Sequence, residues 1–180
     1  MLEDKLLVWK FKSGSADALQ RIYEKYKNDL LALAIALLRD RTVAEDVLHD
    51  VFVSFVQNSE KLQLRTSLKS YLSSCIANRV RNLSREKLQR TMQRNHAGTI
   101  GSDCDEPQRL AISAELTERI EMALTELPYQ QQEVIILHLQ SGMRFKAIAE
   151  SQGVSINTIQ SRYRYGLDKL RSLLNSEVEK

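Results

Sequence analysis

The segment 145–162 carries the residues with the most specific chemical pattern in this chain of 180 residues. Ala149 is small enough to let two helices cross closely, and Gly153 suits the left-handed conformation of a tight turn. Ser155 then stands where a capping hydroxyl would begin the next helix. This order of a small residue, a turn glycine and a capping serine predicts a helix-turn-helix unit.

The helix that follows the turn has an apolar stripe and a polar opposite face. The stripe recurs at three- and four-residue steps, at Ile156, Ile159, Tyr163, Leu167, Leu170 and Leu174. Side chains of the opposite face could grip phosphates or read base edges in a major groove. They are Ser155, Asn157, Thr158, Gln160, Ser161, Arg162, Arg164 and Tyr165. The pattern favours binding of duplex DNA over a helical hairpin with a merely solvated polar face.

Charge is spread unevenly along the chain, although the net charge is only +3. Residues 78–94 hold six arginines and lysines against one glutamate, and residues 144–171 hold six against two acids. Between them, residues 103–126 hold seven acids against two arginines. Two basic surfaces on either side of an acidic segment indicate a polyanionic ligand with two contact points.

The whole pattern predicts an all-α protein of two small helical domains. Two prolines and six glycines provide too few turns for a β-sandwich or barrel. We expect an N-terminal helical domain over residues 1–94 and a C-terminal helix-turn-helix domain over residues 108–180. Residues 95–107 hold two glycines, a proline and three acids, which predicts a flexible acidic linker.

Four helices are expected in the N-terminal domain. The first is short and docks through apolar side chains, namely Leu6, Leu7, Trp9 and Phe11. The second spans Asp17–Leu38, and a capping box at Thr42 and Glu45 opens the third. The third is expected to bury five apolar residues, Val47, Leu48, Val51, Phe52 and Phe55. The fourth starts close to Ser67 and continues through the basic stretch. Helical spacing places four polar residues of this last helix on one outer side, Asn78, Arg81, Asn82 and Arg85.

Several classes of protein are disfavoured. The longest apolar run, Leu30–Leu38, has nine residues, whereas a membrane-spanning helix needs roughly 20. The first residues lack the basic segment and apolar core of a secretory signal, so a cytoplasmic location is expected. Cys75 and Cys104 form no CxxC pattern, which argues against a thiolate metal site. We predict no catalytic residue, no metal and no cofactor.

Two alternatives remain open from the residues alone. A stand-alone helix-turn-helix regulator would use residues 1–94 for dimerisation or ligand sensing. A metal-dependent enzyme is suggested by the neighbours His49 and Asp50, but the other histidines are only His96 and His138.

Four motifs, taken in order, resemble the extracytoplasmic-function (ECF) group of bacterial sigma-70 factors. Residues 44–52 are similar to the family segment Ala-Glu-Asp-x-x-Gln-Glu-x-Phe. Residues 70–72, followed by Asn78, Asn82 and Arg85, match a family pattern of Trp, Asn, Asp and Arg. Leu127-Pro128 precedes the helix-turn-helix, and residues 158–162 follow the family's Thr-Val-x-Ser-Arg. Where the family has Arg-Ala, this chain has Tyr165-Gly166.

The resemblance implies a non-enzymatic sigma factor that directs core RNA polymerase to promoters and assists opening of the minus-10 element. It implies duplex minus-35 DNA, melted minus-10 DNA and an anti-sigma protein as further partners. It also implies that the outer-face residues of the last helix bind the minus-35 duplex. The residues implied to bind the minus-10 element are Tyr71, Asn78, Arg81, Asn82 and Arg85. Those implied to bind the polymerase are Glu45, Asp46, His49 and Asp50.

Overall fold

A computed structural model describes residues 2–59, 62, 64, 66–93 and 111–176. These residues form eight α-helices and no strand, which confirms the all-α prediction. The helices are α1 (Leu2–Lys12), α2 (Ala16–Leu38), α3 (Arg41–Gln57), α4 (Leu68–Gln93), α5 (Ala111–Thr125), α6 (Tyr129–Leu139), α7 (Phe145–Gln152) and α8 (Ile156–Ser176).

The chain divides into two compact units, Met1–Ser102 and Asp103–Lys180, here called unit 1 and unit 2. The predicted linker, residues 95–107, lies outside the described residues, as does the predicted start of the C-terminal domain at residue 108. The domain limits expected from the sequence, 1–94 and 108–180, therefore stay predictions.

The core of unit 1 lies between α2, α3 and α4. Side chains from all three helices are almost fully enclosed there, including Ile22, Leu30, Leu33, Val47, Leu68, Leu72 and Ile76. Helix α3 buries the five residues that its periodicity predicts, Val47, Leu48, Val51, Phe52 and Phe55. The apolar stripes thus position the opposite, polar sides of α3 and α4 toward solvent.

Helix α1 docks on this core through a different face from the one expected. Leu7 and Phe11 are buried as predicted, and the Phe11 ring stacks on Phe55 with centroids 4.9 Å apart. Leu6 and Trp9 instead expose 52% and 65% of their surface. The prediction that they dock was wrong, because Val8 takes the buried position and turns Leu6 and Trp9 away from the core.

The start of α3 also differs from the prediction. The Asp40 carboxylate caps the helix by accepting a hydrogen bond from the Val43 N–H at 3.0 Å. Arg39, in the left-handed conformation, ends α2 directly before it. The capping box at Thr42 was wrong, since Thr42 lies inside the first turn and Glu45 accepts from Arg41 instead.

Unit 2 is built from α5–α8, and two glycines shape its turns. Gly142 follows α6 with a φ of 65°, and the adjacent Met143 N–H donates to the Leu137 carbonyl at 3.2 Å. Gly153 ends α7 with a φ of 66°. Both glycines have the positive φ that other residues adopt only with strain, and the turn predicted at Gly153 is confirmed.

A third glycine lets α6 and α8 approach closely. Gly166 is buried in α8, and a Cβ atom there would lie 2.7 Å from Ile135 Cδ1 and 3.2 Å from Gln131 Cβ. Glycine inside a helix costs about 1 kcal/mol relative to alanine. The close packing against α6 accounts for the glycine at this position.

Candidate nucleic-acid and partner surfaces

The helix-turn-helix has the geometry that its sequence predicts. Ser155 caps α8, with its hydroxyl accepting from the Thr158 N–H at 3.1 Å. Ala149 is buried at the crossing, and its carbonyl accepts from the Val154 N–H at 3.1 Å. Ile148 and Ile159 close the small core between the two helices. The polar side of α8 is therefore held at a defined angle to α7.

Most of the predicted polar residues of α8 lie on one solvent-facing surface, here called the α8 face. Asn157, Gln160, Arg164 and Tyr165 are exposed, and Ser161 is half-buried. The Arg164 guanidinium lies over the Tyr165 ring, 5.1 Å from its centroid. The Ser155 and Thr158 hydroxyls are 2.8 Å apart and serve the cap, which sets them apart from the side chains that point outward.

Arg162 lies at the flank of the α8 face, next to the end of α7. Its Nη1 donates to Oε1 of Gln152 at 2.9 Å. Both side chains are half-buried. Because the partner is a neutral amide, the full positive charge of Arg162 is retained at this position.

An aromatic cluster joins the helix-turn-helix to α6. The His138 ring stacks on Phe145 with centroids 4.4 Å apart and meets Tyr163 edge-on at 5.0 Å. His138 Nδ1 is 2.8 Å from the Met143 carbonyl oxygen. His138 is thus explained by packing between α6, α7 and α8.

The predicted minus-10 residues of α4 also share a surface, here called the α4 face. Asn78, Asn82 and Arg85 are exposed. Arg81 is half-buried and donates a hydrogen bond from Nη2 to Oδ1 of Asn78. The amide of Asn78 is therefore oriented by a residue of the same face.

Tyr71 lies between the α4 face and the core. Helical spacing puts it two turns before Asn78, yet its ring packs 6.3 Å from Phe55. Burial and the neighbouring Cys75 thiol, with which it shares a hydrogen bond, raise the pKa of Tyr71 to about 12. The half-buried Tyr71 ring therefore serves mainly to pack α3 against α4.

An ion pair between α3 and α4 changes the charge of both predicted surfaces. Arg79 Nη2 lies 2.9 Å from Asp50 Oδ2, and its Nη1 lies 3.7 Å from Glu86. In the sequence, Arg79 counts toward the basic stretch of residues 78–94, and Asp50 belongs to the predicted polymerase-binding set. Because 29 residues separate the two, no local pattern in the sequence signals the pair.

The predicted polymerase-binding residues of α3 all face solvent, but they are not equivalent. Glu45 accepts from Arg41 Nε at 2.9 Å, and Asp50 is engaged by Arg79. Asp46 and His49 are exposed, and neither makes a hydrogen bond or ion pair with any residue that the structure describes. Asp46 is thus the carboxylate of this set that is best placed to meet a partner.

Beside this set runs an apolar groove that sequence reasoning missed. It lies between α2 and α3, and we call it the α2–α3 groove; its lining includes Leu19, Tyr23, His49, Phe52, Val53 and Val56. Tyr23, Val53 and Val56 are exposed although they are large and apolar. The signal in the sequence is the pair Val53 and Val56, which fall outside the buried stripe of α3.

The described parts of the chain also bear on two other classes of site, a metal centre and a membrane span. Those residues contain no group of three or more His, Cys, Asp or Glu side chains that could hold a metal ion. None of their helices combines the length and apolar character needed to cross a membrane.

Comparison with known families matches both units. Residues 22–90 match the family model of sigma-70 region 2, and residues 117–170 match that of sigma-70 region 4. The chain therefore belongs to the sigma-70 family. Within that family it is an ECF RNA polymerase sigma factor, because its curated relatives of that type align over about 90% of its length.

Among these relatives are two proteins of Bacillus subtilis. The ECF RNA polymerase sigma factor SigX is 26% identical over 172 residues, which are 90% of this chain and 88% of SigX. The ECF RNA polymerase sigma factor SigW is 23% identical over 172 residues, which are 91% of this chain and 92% of SigW. ECF sigma factors are not enzymes, so the metal-dependent enzyme is excluded. Membership of the sigma-70 family takes the place of the stand-alone regulator.

Solved structures share the fold. The sigma factor RpoE of Bartonella quintana, solved with the anti-sigma factor NepR, has a TM-score of 0.73 at 24% identity and covers 87% of this chain and 96% of its own. CnrH, solved with the cytosolic domain of CnrY, has a TM-score of 0.71 at 22% identity and covers 96% of this chain and 97% of its own.

Proposed function

We propose that this sigma factor directs core RNA polymerase to promoters through three surfaces: the α8 face for the minus-35 duplex, the α4 face for the minus-10 element, and the α2–α3 groove for the polymerase. The observation that carries the proposal is Arg162 and Arg164 on a capped helix-turn-helix, held by an amide and by an aromatic ring. No carboxylate in the described parts of the chain pairs with either arginine, so both can attract DNA phosphates.

On the α8 face, base-edge and phosphate contacts have separate donors. Asn157 and Gln160 are exposed amides in the first two turns of the helix, the part that enters a major groove in helix-turn-helix proteins. Amides can pair with adenine edges, whereas guanidinium groups bind phosphate or guanine. We assign sequence reading to the amides and orientation on the duplex to the two arginines.

On the α4 face, two of the three exposed side chains are amides. Asn78 and Asn82 are exposed one turn apart, and Arg85 follows on the same side. Arg79, although in the same basic stretch, is paired with Asp50. This surface is suited to hydrogen bonding with unpaired bases of the minus-10 element, with Arg85 as its phosphate contact.

For polymerase binding we assign Asp46 together with the α2–α3 groove. The groove offers exposed apolar side chains at Tyr23, Val53 and Val56, and the Asp46 carboxylate lies on the same helix as the two valines. An apolar groove beside a carboxylate fits an amphipathic helix that carries basic residues. Asp50 is assigned to the internal ion pair with Arg79.

Two further parts of the proposal follow from the class of protein. Cytoplasmic location is proposed because a sigma factor works on polymerase and DNA. An anti-sigma partner is proposed because RpoE and CnrH, which share the fold, were each solved with a second protein, named as an anti-sigma factor for RpoE. We also keep the predicted division into residues 1–94, a linker of 95–107, and residues 108–180.

The test is transcription in vitro with purified core polymerase, with and without this protein, on a genomic library whose start sites are mapped by sequencing. We expect new start sites that share two sequence elements, one near minus-35 and one near minus-10. The matched control is Asn78→Ala with Asn82→Ala, which should still assemble with polymerase but fail to open these promoters. Absence of shared elements at new start sites contradicts the proposal.

A further inference from the structure

We propose that Gln152 is a positioning residue that presents the Arg162 guanidinium to the DNA backbone. The inference rests on the proposed binding of the minus-35 duplex by the α8 face. Gln152 is the last residue of α7, and Arg162 lies in the second turn of α8. Their hydrogen bond, 2.9 Å from Nη1 to Oε1, therefore spans the two helices of the helix-turn-helix.

The chemistry of the acceptor suits a DNA-binding arginine. An amide oxygen orients the guanidinium without neutralising it, so the charge remains available to a phosphate. The Arg79–Asp50 pair shows the opposite arrangement, because a carboxylate there offsets the charge. Arginine has five N–H donors, and a single bond to Gln152 leaves the others for a ligand.

The bond also reduces the entropy that binding would otherwise cost. A long arginine side chain loses rotamer freedom when it is fixed on a ligand. Arg162 is already half-buried and held before DNA arrives. Preorganisation of this kind increases affinity without any additional contact with the ligand.

A second observation distinguishes positioning from a role in the fold. The Nε2 atom of Gln152 is buried and has no hydrogen-bond partner among the described residues. A buried donor without a partner destabilises the folded state. An apolar side chain of similar size would avoid that penalty, which offsets what the hydrogen bond to Arg162 contributes to stability. Its presence points to what its oxygen does for Arg162.

The experiment is a double-mutant cycle on the full chain assembled with core polymerase. The variants are Gln152→Met, Arg162→Ala and both together, with Gln130→Met on the exposed side of α6 as the matched control. Affinity for a labelled duplex carrying the mapped minus-35 element is measured over a range of salt concentrations. Thermal unfolding of each variant is recorded in parallel.

Gln152→Met should weaken duplex binding about fivefold without lowering the melting temperature, and it should have no further effect once Arg162 is alanine. Gln152→Glu should lower the salt slope by about one unit, because its carboxylate offsets the arginine charge. A purely structural role predicts a lower melting temperature and an equal loss of affinity in both backgrounds.

Two outcomes separate this inference from the proposed function. If Arg162→Ala weakens binding but Gln152→Met does not, the positioning role is overturned and the minus-35 assignment stands. If Arg162→Ala leaves both affinity and salt slope unchanged, the minus-35 assignment of Arg162 fails, and the positioning role fails with it.

Discussion

The basic sides of α4 and α8 have similar numbers of arginines in the sequence but handle their charge differently in the structure. On α4, Arg79 is paired with Asp50 and lies near Glu86, so its charge is offset. Arg81 on the same helix is bonded to the neutral amide of Asn78 and keeps its charge. On α8, Arg162 is held by the neutral Gln152 and Arg164 lies over a tyrosine ring. A count of charges therefore overstates the positive field of α4 and describes that of α8 better.

This difference suggests a division of labour within one promoter contact. A surface whose arginines keep their charge gains affinity by releasing counterions from duplex DNA. A surface whose exposed residues are amides gains selectivity by hydrogen bonding to bases. We therefore expect unit 2 to dominate the salt dependence of promoter binding and unit 1 to dominate the choice of minus-10 sequence.

The largest effect should come from removing the charges of α8. Arg162→Ala combined with Arg164→Ala should weaken minus-35 duplex binding about tenfold or more and lower the salt slope by about two units. Arg79→Ala is the matched control on α4 and should leave the slope unchanged, because its charge is already offset by Asp50. Equal slopes for both variants, measured by fluorescence anisotropy, would refute the division of labour.

The next effect concerns how closely α8 packs on α6. Gly166→Ala should destabilise unit 2 by about 1 kcal/mol, since overpacking of about 1–3 kcal/mol exceeds the gain in helix propensity. Ile135→Val removes the Cδ1 atom that lies 2.7 Å from the new Cβ. In that background the same substitution should be neutral or stabilising, and the double-mutant cycle measures the coupling.

The two units can be followed separately in this experiment. The chain has one tryptophan, Trp9, which lies in unit 1. Its fluorescence reports unit 1, whereas far-ultraviolet circular dichroism reports both. Gly166→Ala should shift the unfolding transition seen by circular dichroism and leave the one seen by Trp9 fluorescence unchanged. A shift in Trp9 fluorescence, or an equal loss of stability in the Ile135→Val background, would contradict the packing explanation.

A smaller effect separates the two aspartates of α3. Asp50→Lys should lower the stability of unit 1 by up to about 1 kcal/mol, because it replaces a partly exposed ion pair with a repulsion. Asp46→Lys should leave stability unchanged and weaken binding to core polymerase, with Asp168→Lys in unit 2 as the matched control. Unimpaired polymerase binding by Asp46→Lys would remove this residue from the interface.

The smallest effect tests how unit 1 holds α1. Burial would raise the pKa of Asp4, but hydrogen bonds from Lys25 and Tyr26 outweigh it and keep this pKa below the ordinary value of 3.8. The ionised carboxylate therefore stabilises unit 1 above pH 3.8, and that contribution is lost as the pH falls through the lower pKa of the folded state.

Asp4→Asn should accordingly destabilise unit 1 at neutral pH, and the difference from the original protein should shrink in acid. The measurement is urea unfolding followed by Trp9 fluorescence between neutral and acidic pH. A difference that stays constant over this range would show that the charge of Asp4 does not contribute.

Much of the fold could be predicted from periodicity and turn chemistry. The buried set of α3 was predicted residue by residue, because apolar side chains at three- and four-residue steps must share one face of a helix. The helix-turn-helix was predicted from Ala149, Gly153 and Ser155, since each meets a local steric or hydrogen-bonding requirement. These features depend on residues close together in the chain.

The errors fall where local patterns leave a choice. Helix α1 carries apolar residues on two faces, so periodicity does not say which face docks, and Leu6 and Trp9 are exposed. At the start of α3, Asp40 and Thr42 are both acceptable caps, and the left-handed Arg39 that ends α2 selects Asp40. In both cases the neighbouring helices determined which of the possible residues was used.

By itself the sequence determined which residues share a helical face and where helices begin, turn and end, because these depend on interactions within a few residues. Only the tertiary structure decided which of those residues keep their charge and which are already paired. Asp50 meets Arg79 from 29 residues away, and Gln152 meets Arg162 across a turn. Contacts between residues so far apart in the chain arise only when helices pack, and packing is set by side-chain shape over the whole core.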